Sequence, residues 1–228
     1  MKRIVQPELL DTLSPADPRA IRSRRDLRRV NAWMQNHSIM ARALKNNFAG
    51  RAPEKIIELG AGDGNILLQV ARKMNFSGIN ATLLDLQKNV ADETIVEFQK
   101  LNWRVEPIVA DVFDWLQTEN SNSEIVIANL FLHHFDDARL AELLEKISGR
   151  TKLFIAVEPR RFRFPFLCAQ MLRAIGCNYV TLHDAEISIR AGFCGDELSA
   201  LWPDKKNWQR TESRAGWFSH LFIARKIS

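Results

Sequence analysis

The sequence holds few of the features that would place it outside the ordinary soluble domains. It has three cysteines in 228 residues, Cys168, Cys177 and Cys194. Their number is odd and they lack the close paired spacing of a zinc site, which argues against a disulfide framework or a structural metal and for reduced thiols in a cytosolic protein. No apolar run reaches the roughly 18 residues that a membrane-spanning helix needs. The opening MKRIVQPELLDTLSP carries charge but no apolar segment before a small-residue cleavage site, so no secretory signal is expected. Internal repeats, low-complexity tracts and long linkers are missing too, and a chain of this size is most simply one domain.

What is present begins with an uneven charge. The net charge is +5, yet residues 1–51 hold 11 Lys/Arg against 4 Asp/Glu, while the other 177 residues hold 21 against 23. The excess therefore belongs to the N-terminal segment, where Arg22, Arg25 and Arg29 recur at helical spacing beside Arg24 and Arg28. Such a stripe is either a solvated helix face or a patch for anionic lipid, nucleic acid or an acidic partner.

The most specific stretch is KIIELGAGDGN, residues 55–65, where an apolar run ends in Glu58 and is followed by Gly60, Gly62 and Gly64. Glycines at a strand-to-helix turn let the backbone bend sharply and approach a ligand without a Cβ, and the following helix offers unpaired N–H groups. A dinucleotide site would place its third glycine three residues after the second, whereas Gly64 follows Gly62 by two. A second apolar run, INATLLD, ends at Asp85, where an acid can accept from both hydroxyls of a ribose. VEPIVAD ends at Asp111 before Val112, and SEIVIANL ends at Asn129 before Leu130.

Apolar runs near 55–59, 79–85, 104–110, 124–130 and 152–158 alternate with helical patterns near 64–74, 87–101, 111–117 and 136–148. This alternation predicts an α/β fold with a mostly parallel sheet and helices on both faces. Residues 159–201 read as helices and a loop. WQRTES and GWFSHLFIAR then read as two β-runs joined by a turn at 214–216.

Glu58 two residues before Gly60, the glycine spacing and the acids closing the next two strands together resemble class I S-adenosylmethionine (SAM)-dependent methyltransferases over residues 30–226, most sharply over 56–135. The resemblance implies a Rossmann-like seven-stranded sheet with an antiparallel C-terminal strand, a methyltransferase domain over 51–228, and residues 1–50 as a helical lid within the same domain. It implies SAM as cofactor, held by Glu58, Gly60, Ala61, Gly62, Gly64, Asp85, Leu86, Asp111, Val112, Asn129 and Leu130. In that pattern Asp111 meets the adenine amino group, the N–H of Val112 meets the ring, and carbonyls at the end of the fourth strand receive the ammonium. LHHF after the fourth strand and VEP after the fifth look like small-molecule enzymes of the quinone- and polyketide-modifying kind. The NPPY-type tetrapeptide of enzymes that methylate exocyclic base amines is replaced by Asn129-Leu130-Phe131-Leu132, and none of the cysteines follows a proline as in cysteine-nucleophile base methylation.

The methyl carbon of a sulfonium is already activated, so a metal is not required, and a general base with a pKa near neutrality would assist a hydroxyl acceptor. Candidate bases are His133 and His134, of which at most one is expected to face the substrate, and His183. Asp184 reads as an N-cap for a helix following it. Trp33, Glu158 and Arg190 are candidate substrate contacts, Glu158 alternatively pairing with Arg160 or Arg161. Phe131, Phe135, Phe162, Phe164 and Phe166 among these segments suggest a small, largely apolar acceptor methylated at oxygen, with carbon next. The other readings are an RNA methyltransferase holding phosphates on the N-terminal arginines, a non-catalytic SAM-binding partner subunit, and a nicotinamide oxidoreductase, disfavoured by the glycine spacing.

Overall fold

The structure is a computed structural model that describes residues 2–14, 16–47, 52–118, 123–162 and 165–227, without the side chains at 165, 166, 168 and 169. Its centre is a seven-stranded sheet made of β1 (Lys55–Leu59), β2 (Asn80–Asp85), β3 (Arg104–Val109), β4 (Ser123–Asn129), β5 (Thr151–Pro159), β6 (Trp208–Ala215) and β7 (Ser219–Lys226), in the order β3-β2-β1-β4-β5-β7-β6. The first five strands are parallel, and β7 runs antiparallel to both of its neighbours. The expected architecture is therefore present, and the strand order reverses between β1 and β4. That reversal opens a crevice at the carboxyl ends of these two strands, the place where open α/β sheets bind ligands.

Alternation along the strands builds the core on both faces. Val126 and Ala128 of β4 join Phe154, Phe222 and helices α6 (Val112–Thr118), α7 (Asp137–Ser148) and α10 (Glu197–Leu201) on one face. Ile125 and Ile127 join Leu153, Ile155 and helices α3 (Asn36–Asn47), α4 (Asn65–Met74) and α5 (Asp92–Lys100) on the other. Each such aliphatic side chain, fully buried, contributes about 1.5–3 kcal/mol. Burial of β1, β2, β4 and β5 explains why these strands read as continuous apolar runs.

Three expectations shift. The helix expected from 87 begins at Asp92, because the Gln87 N–H is taken by Asp85 Oδ1 at 2.9 Å and the chain runs as a loop until Ala91 caps α5. Arg214 and Ala215 stay within β6, and the turn falls at 216–218, where Gly216 adopts φ +70. Asp184 lies inside α9 (Tyr179–Ala191), whose own cap is Asn178.

The remaining helices cover the carboxyl ends of the strands. They are α1 (Leu9–Thr12), α2 (Pro18–Met34), α8 (Pro165–Ala174) and α9. Asp17 caps α2 and Pro18 opens it, a favoured start because proline lacks the N–H that would be left unpaired there. Its buried face carries Ser23 and Asp26, which reach α9: Asp26 accepts from the Asn178 N–H at 2.8 Å, and Thr181 bonds to Ser23 at 3.0 Å.

Candidate active site

Under these helices lies a cavity of about 500 Å³, bounded by the ends of β1, β2, β4 and β5 below and by α2, α8, α9 and the N-terminal segment above. Its first half is built by the glycine turn. Gly60, Gly62 and Gly64 all have left-handed φ, at +65, +57 and +74. A Cβ on Gly60 would stand 2.3 Å from the Phe131 ring, whereas one on Gly62 would meet nothing within 4 Å, so Gly62 leaves its side of the turn open. Asp85 clamps the turn by accepting from the Gly62 N–H at 2.8 Å. At the ends of β1 and β4, Glu58 Oε2 and Asn129 Oδ1 are buried acceptors without a hydrogen-bond partner. Burial, and then the charges of Asp63 and Asp85, push the Glu58 carboxyl well above the usual carboxylate range. Two orphaned oxygens facing one cavity fit a cationic group with several N–H donors. Leu130 takes a left-handed φ of +51, and its N–H bonds to Val157 O at 2.9 Å. This bend turns the chain across the cavity floor at a conformation that non-glycine residues rarely adopt.

Asp111 also lines the cavity, and its Oδ1 accepts from the Phe113 N–H at 2.8 Å, capping α6. Val112 and Leu86 line the same region, Leu86 with 69% of its surface exposed. All eleven cofactor candidates are thus in one neighbourhood. Gly64 is the one that does not border the open space: it turns into α4 with its α-carbon against Leu83.

The second half is ionic at its base. His133 is buried between two carboxylates, with Nδ1 2.8 Å from Glu158 Oε2 and Nε2 3.3 Å from Glu8 Oε1. Burial alone would lower its pKa, but the hydrogen bonds and charges of Glu158 and Glu8 outweigh it and push the imidazole up to about 9. Burial would likewise raise Glu8, and the His133 contact reverses this and brings the carboxyl down to about 2. The His134 ring packs against that of His133, tilted by 34° with centroids 4.3 Å apart, and its Nδ1 lies 3.4 Å from Asp11 Oδ2. Both histidines border the cavity. The raised pKa favours the imidazolium form of His133, whose ring has no lone pair to offer.

Three expected contacts stand elsewhere. Glu158 is fully buried and meets neither the cavity nor Arg160 or Arg161: it accepts from the N–H groups of Phe131 (3.0 Å), Leu132 (2.9 Å) and His133 (3.3 Å) besides the His133 ring. Those arginines are engaged with Trp217 O and Glu197 respectively. His183 lies outside the cavity with Nδ1 3.1 Å from Asp184, and Arg190 is exposed and paired with Glu186 at 2.5 Å. The periodicity of α9 explains this: Asp184, Ala185, Ser188 and Ile189 face the cavity, and residues 183, 186 and 190 point away. Asp184 does cap a helix, though a distant one, by accepting from the Leu9 and Leu10 N–H groups at 2.8 and 3.0 Å.

Trp33, Phe131 and Phe135 line the cavity, Trp33 against Phe218 at 4.9 Å between centroids. Phe162 packs on Phe218 from outside it. Phe164 and the side chain of Phe166 lie outside the described residues, as does the side chain of Cys168; Cys177 and Cys194 are free thiols. The arginine stripe is largely engaged within the fold. Arg22 and Arg29 donate to the Gly176 and Ile175 carbonyls beyond the end of α8, Arg24 donates to Gln87, and Arg28 pairs with Asp63. Sequence reading missed Glu8, Asp11 and Ser188, which lie far along the chain from their partners and carry no local motif.

A family model described as a methyltransferase domain matches residues 56–152. Over these residues, under half of the chain, the sequence is similar to a methyltransferase domain. Among solved structures the chain resembles the plantazolicin methyltransferase BpumL in complex with SAH (S-adenosylhomocysteine), at 13% identity, with a TM-score of 0.65 and 92% of this chain and 91% of that one covered. An O-methyltransferase family protein from Burkholderia thailandensis aligns at 18% identity and a TM-score of 0.61, over 93% of this chain and 61% of that one. The mitomycin 7-O-methyltransferase MmcR aligns at 16% identity and a TM-score of 0.61, over 95% and 60%. The chain thus spans nearly all of BpumL and about three fifths of the two O-methyltransferase chains. No curated protein matches it by sequence. Among its described residues no helix is long and apolar enough to cross a membrane.

Proposed function

We propose that this chain is a SAM-dependent methyltransferase that transfers a methyl group to a hydroxyl of a small, largely apolar molecule, with His134 as general base. The observation that carries this reading is the division of labour between adjacent histidines at the cavity base: His133 is held as an imidazolium by two carboxylates, and His134 packs against it and lines the cavity.

Glu58 Oε2 and Asn129 Oδ1 would receive the ammonium of the methionine part, Asp85 the ribose hydroxyls, and Asp111 with Val112 the adenine. SAM bound there supplies a methyl group already activated on a sulfonium. The chain's own work is to hold the acceptor in line, exclude water and take a proton. With a proton on His134 Nδ1, beside Asp11, the lone pair sits on Nε2, which accepts the hydroxyl proton. Leu27, Val30, Trp33, Met34, Leu172 and Phe218 give the acceptor an apolar enclosure. The names of the mitomycin 7-O-methyltransferase and the Burkholderia O-methyltransferase family protein agree with attack by oxygen. The engagement of Arg22, Arg24, Arg28 and Arg29 inside the fold favours a small acceptor over phosphate-rich RNA.

The test is a screen of phenols, hydroquinones and aromatic polyketides with SAM, the product's methyl position being read by NMR. O-methyl products whose formation falls about 100-fold or more in His134→Ala, within the range general bases contribute, are expected. Methyl on carbon or nitrogen alone, or full activity in His134→Ala, would overturn the assignment.

A further inference from the structure

The base of the acceptor half contains a carboxylate supplied from the far N-terminal segment. Glu8 is nearly buried and lines the cavity. Its Oε1 is committed twice, to the His133 ring and to the Ser188 hydroxyl. Its Oε2 takes no hydrogen bond from any described residue. The segment is fixed on both sides of it: the Arg3 guanidinium donates to Phe135 O and to Ala191 O and pairs with Asp137, and the Leu9 and Leu10 N–H groups end on Asp184. A charged oxygen held this rigidly, with acceptor capacity left over and a cavity beside it, is a recognition element for a hydrogen-bond donor. A Glu8 oxygen and a ring nitrogen of His134 lie within 4.8 Å of each other. Two donors on neighbouring atoms of one molecule can reach both at ordinary hydrogen-bond lengths.

We propose that the acceptor carries two adjacent hydroxyl groups, as an ortho-dihydroxyaryl ring does, one presented to His134 for methylation and the other hydrogen-bonded to Glu8 Oε2. This deepens the O-methylation reading and rests on it. At the reacting hydroxyl, oxygen forms a bond to the methyl carbon while the carbon–sulfur bond breaks. The electron pair of that bond stays on sulfur, and the hydroxyl proton passes to His134 Nε2. The second hydroxyl keeps its proton and fixes the ring's rotation in the pocket. The same side chains invite comparison with a divalent-cation site, since Glu8, His133 and His134 all offer ligand atoms. Both ring nitrogens of His133 are already engaged, Nδ1 with Glu158 and Nε2 with Glu8, so an ion would have to displace one of these contacts. An organic donor fits this arrangement better than an ion.

The test uses calorimetric titration of the full chain, loaded with S-adenosylhomocysteine, against three matched ligands: an ortho-dihydroxyaryl compound, its meta isomer and the monohydroxy parent. Tighter binding of the ortho compound by about tenfold or more is expected, since the analogues leave Glu8 Oε2 without its donor. Glu8→Gln should bring that ratio close to one. Arg3→Ala, which loosens the same segment without touching Glu8, should weaken all three ligands together and keep the ratio. Equal affinities in the wild type, or a ratio that survives Glu8→Gln, would overturn the proposal, and so would a preference that appears with added zinc or manganese and disappears with EDTA. Turnover is measured separately: an ortho preference in binding with no O-methyl product fails the O-methylation reading while leaving Glu8 as the recognition element, and O-methylation of all three alike fails the Glu8 proposal alone.

Discussion

The two halves of the cavity are built in opposite ways. In the cofactor half, every group follows its own strand: Glu58 closes β1, Asp85 closes β2, Asp111 follows β3 and Asn129 closes β4. The sheet brings them together because parallel strands place their carboxyl ends on one edge. In the acceptor half, the joining contacts span the chain. Glu8 meets His133 across 125 positions and Ser188 across 180, and Asp184 meets Leu9 across 175. One half is a property of the sheet, and the other depends on the docking of a terminal segment. The first can be damaged by a single backbone change, while the second should show its dependence through charge.

The largest expected effect is on the cofactor half. Gly60→Arg puts a side chain where a Cβ alone would stand 2.3 Å from the Phe131 ring, on a backbone with φ +65. Calorimetric binding of S-adenosylhomocysteine should disappear while the far-UV circular dichroism stays near that of the wild type. Binding within tenfold of the wild type would mean that the turn does not contact the cofactor.

Next is His133→Ala in the acceptor half. It removes the cation from between Glu8 and Glu158, and breaking a buried ion pair in this way costs about 3–5 kcal/mol. The urea unfolding midpoint should fall accordingly while affinity for S-adenosylhomocysteine changes little. A loss below about 1 kcal/mol would show that the triad behaves like a surface pair and that the two halves are less distinct than their construction implies.

Asp85→Ala has a smaller and more local consequence. It frees the Gly62 and Gln87 N–H groups, which Asp85 holds at 2.8 and 2.9 Å. Losing a positioned carboxylate of this kind should cost about 1–3 kcal/mol of cofactor affinity, or roughly 5- to 150-fold, read in the same titration. Unchanged affinity would remove Asp85 from the site.

This contrast also explains what the residues disclosed in advance. The apolar runs marked β1, β2, β4 and β5 closely because a buried parallel strand is apolar on both faces, and Gly60, Gly62 and Gly64 marked the turn because each adopts a conformation that glycine tolerates best. Glu158 was visible as an acid at a strand end, but its direction was not: it turns inward because the bend after β4 presents three N–H groups to it. His183 and Arg190 were drawn in by their polarity, whereas the side of α9 that faces the cavity is set by its packing against α2. Nothing local marks Glu8. Its burial is a consequence of His133, and a pairing across 125 positions has no periodicity to read.

The smallest effect comes from pH, and its sign follows from the triad. The His133 pKa is raised to about 9 from 6.5, so the stability it contributes is complete below pH 6.5 and is lost as pH rises through 9. Glu8 is lowered to about 2 from 4.5, so its contribution is complete above pH 4.5 and is lost as pH falls through 2. The acceptor half should therefore be firmest between pH 4.5 and 6.5 and loosen on the alkaline side first, since 9 lies nearer to neutrality than 2. Hydrogen exchange of the Leu9 and Leu10 amides, which end on Asp184 beside the triad, reports that loosening directly once the intrinsic pH dependence of exchange is removed. Their protection should decline between pH 7 and 10 in the wild type and be low and flat in His133→Ala, while amides of β1 keep theirs in both. If the β1 amides lost protection in step with Leu9 and Leu10, the terminal segment would be opening as one unit with the sheet, and the division between the two halves would not hold.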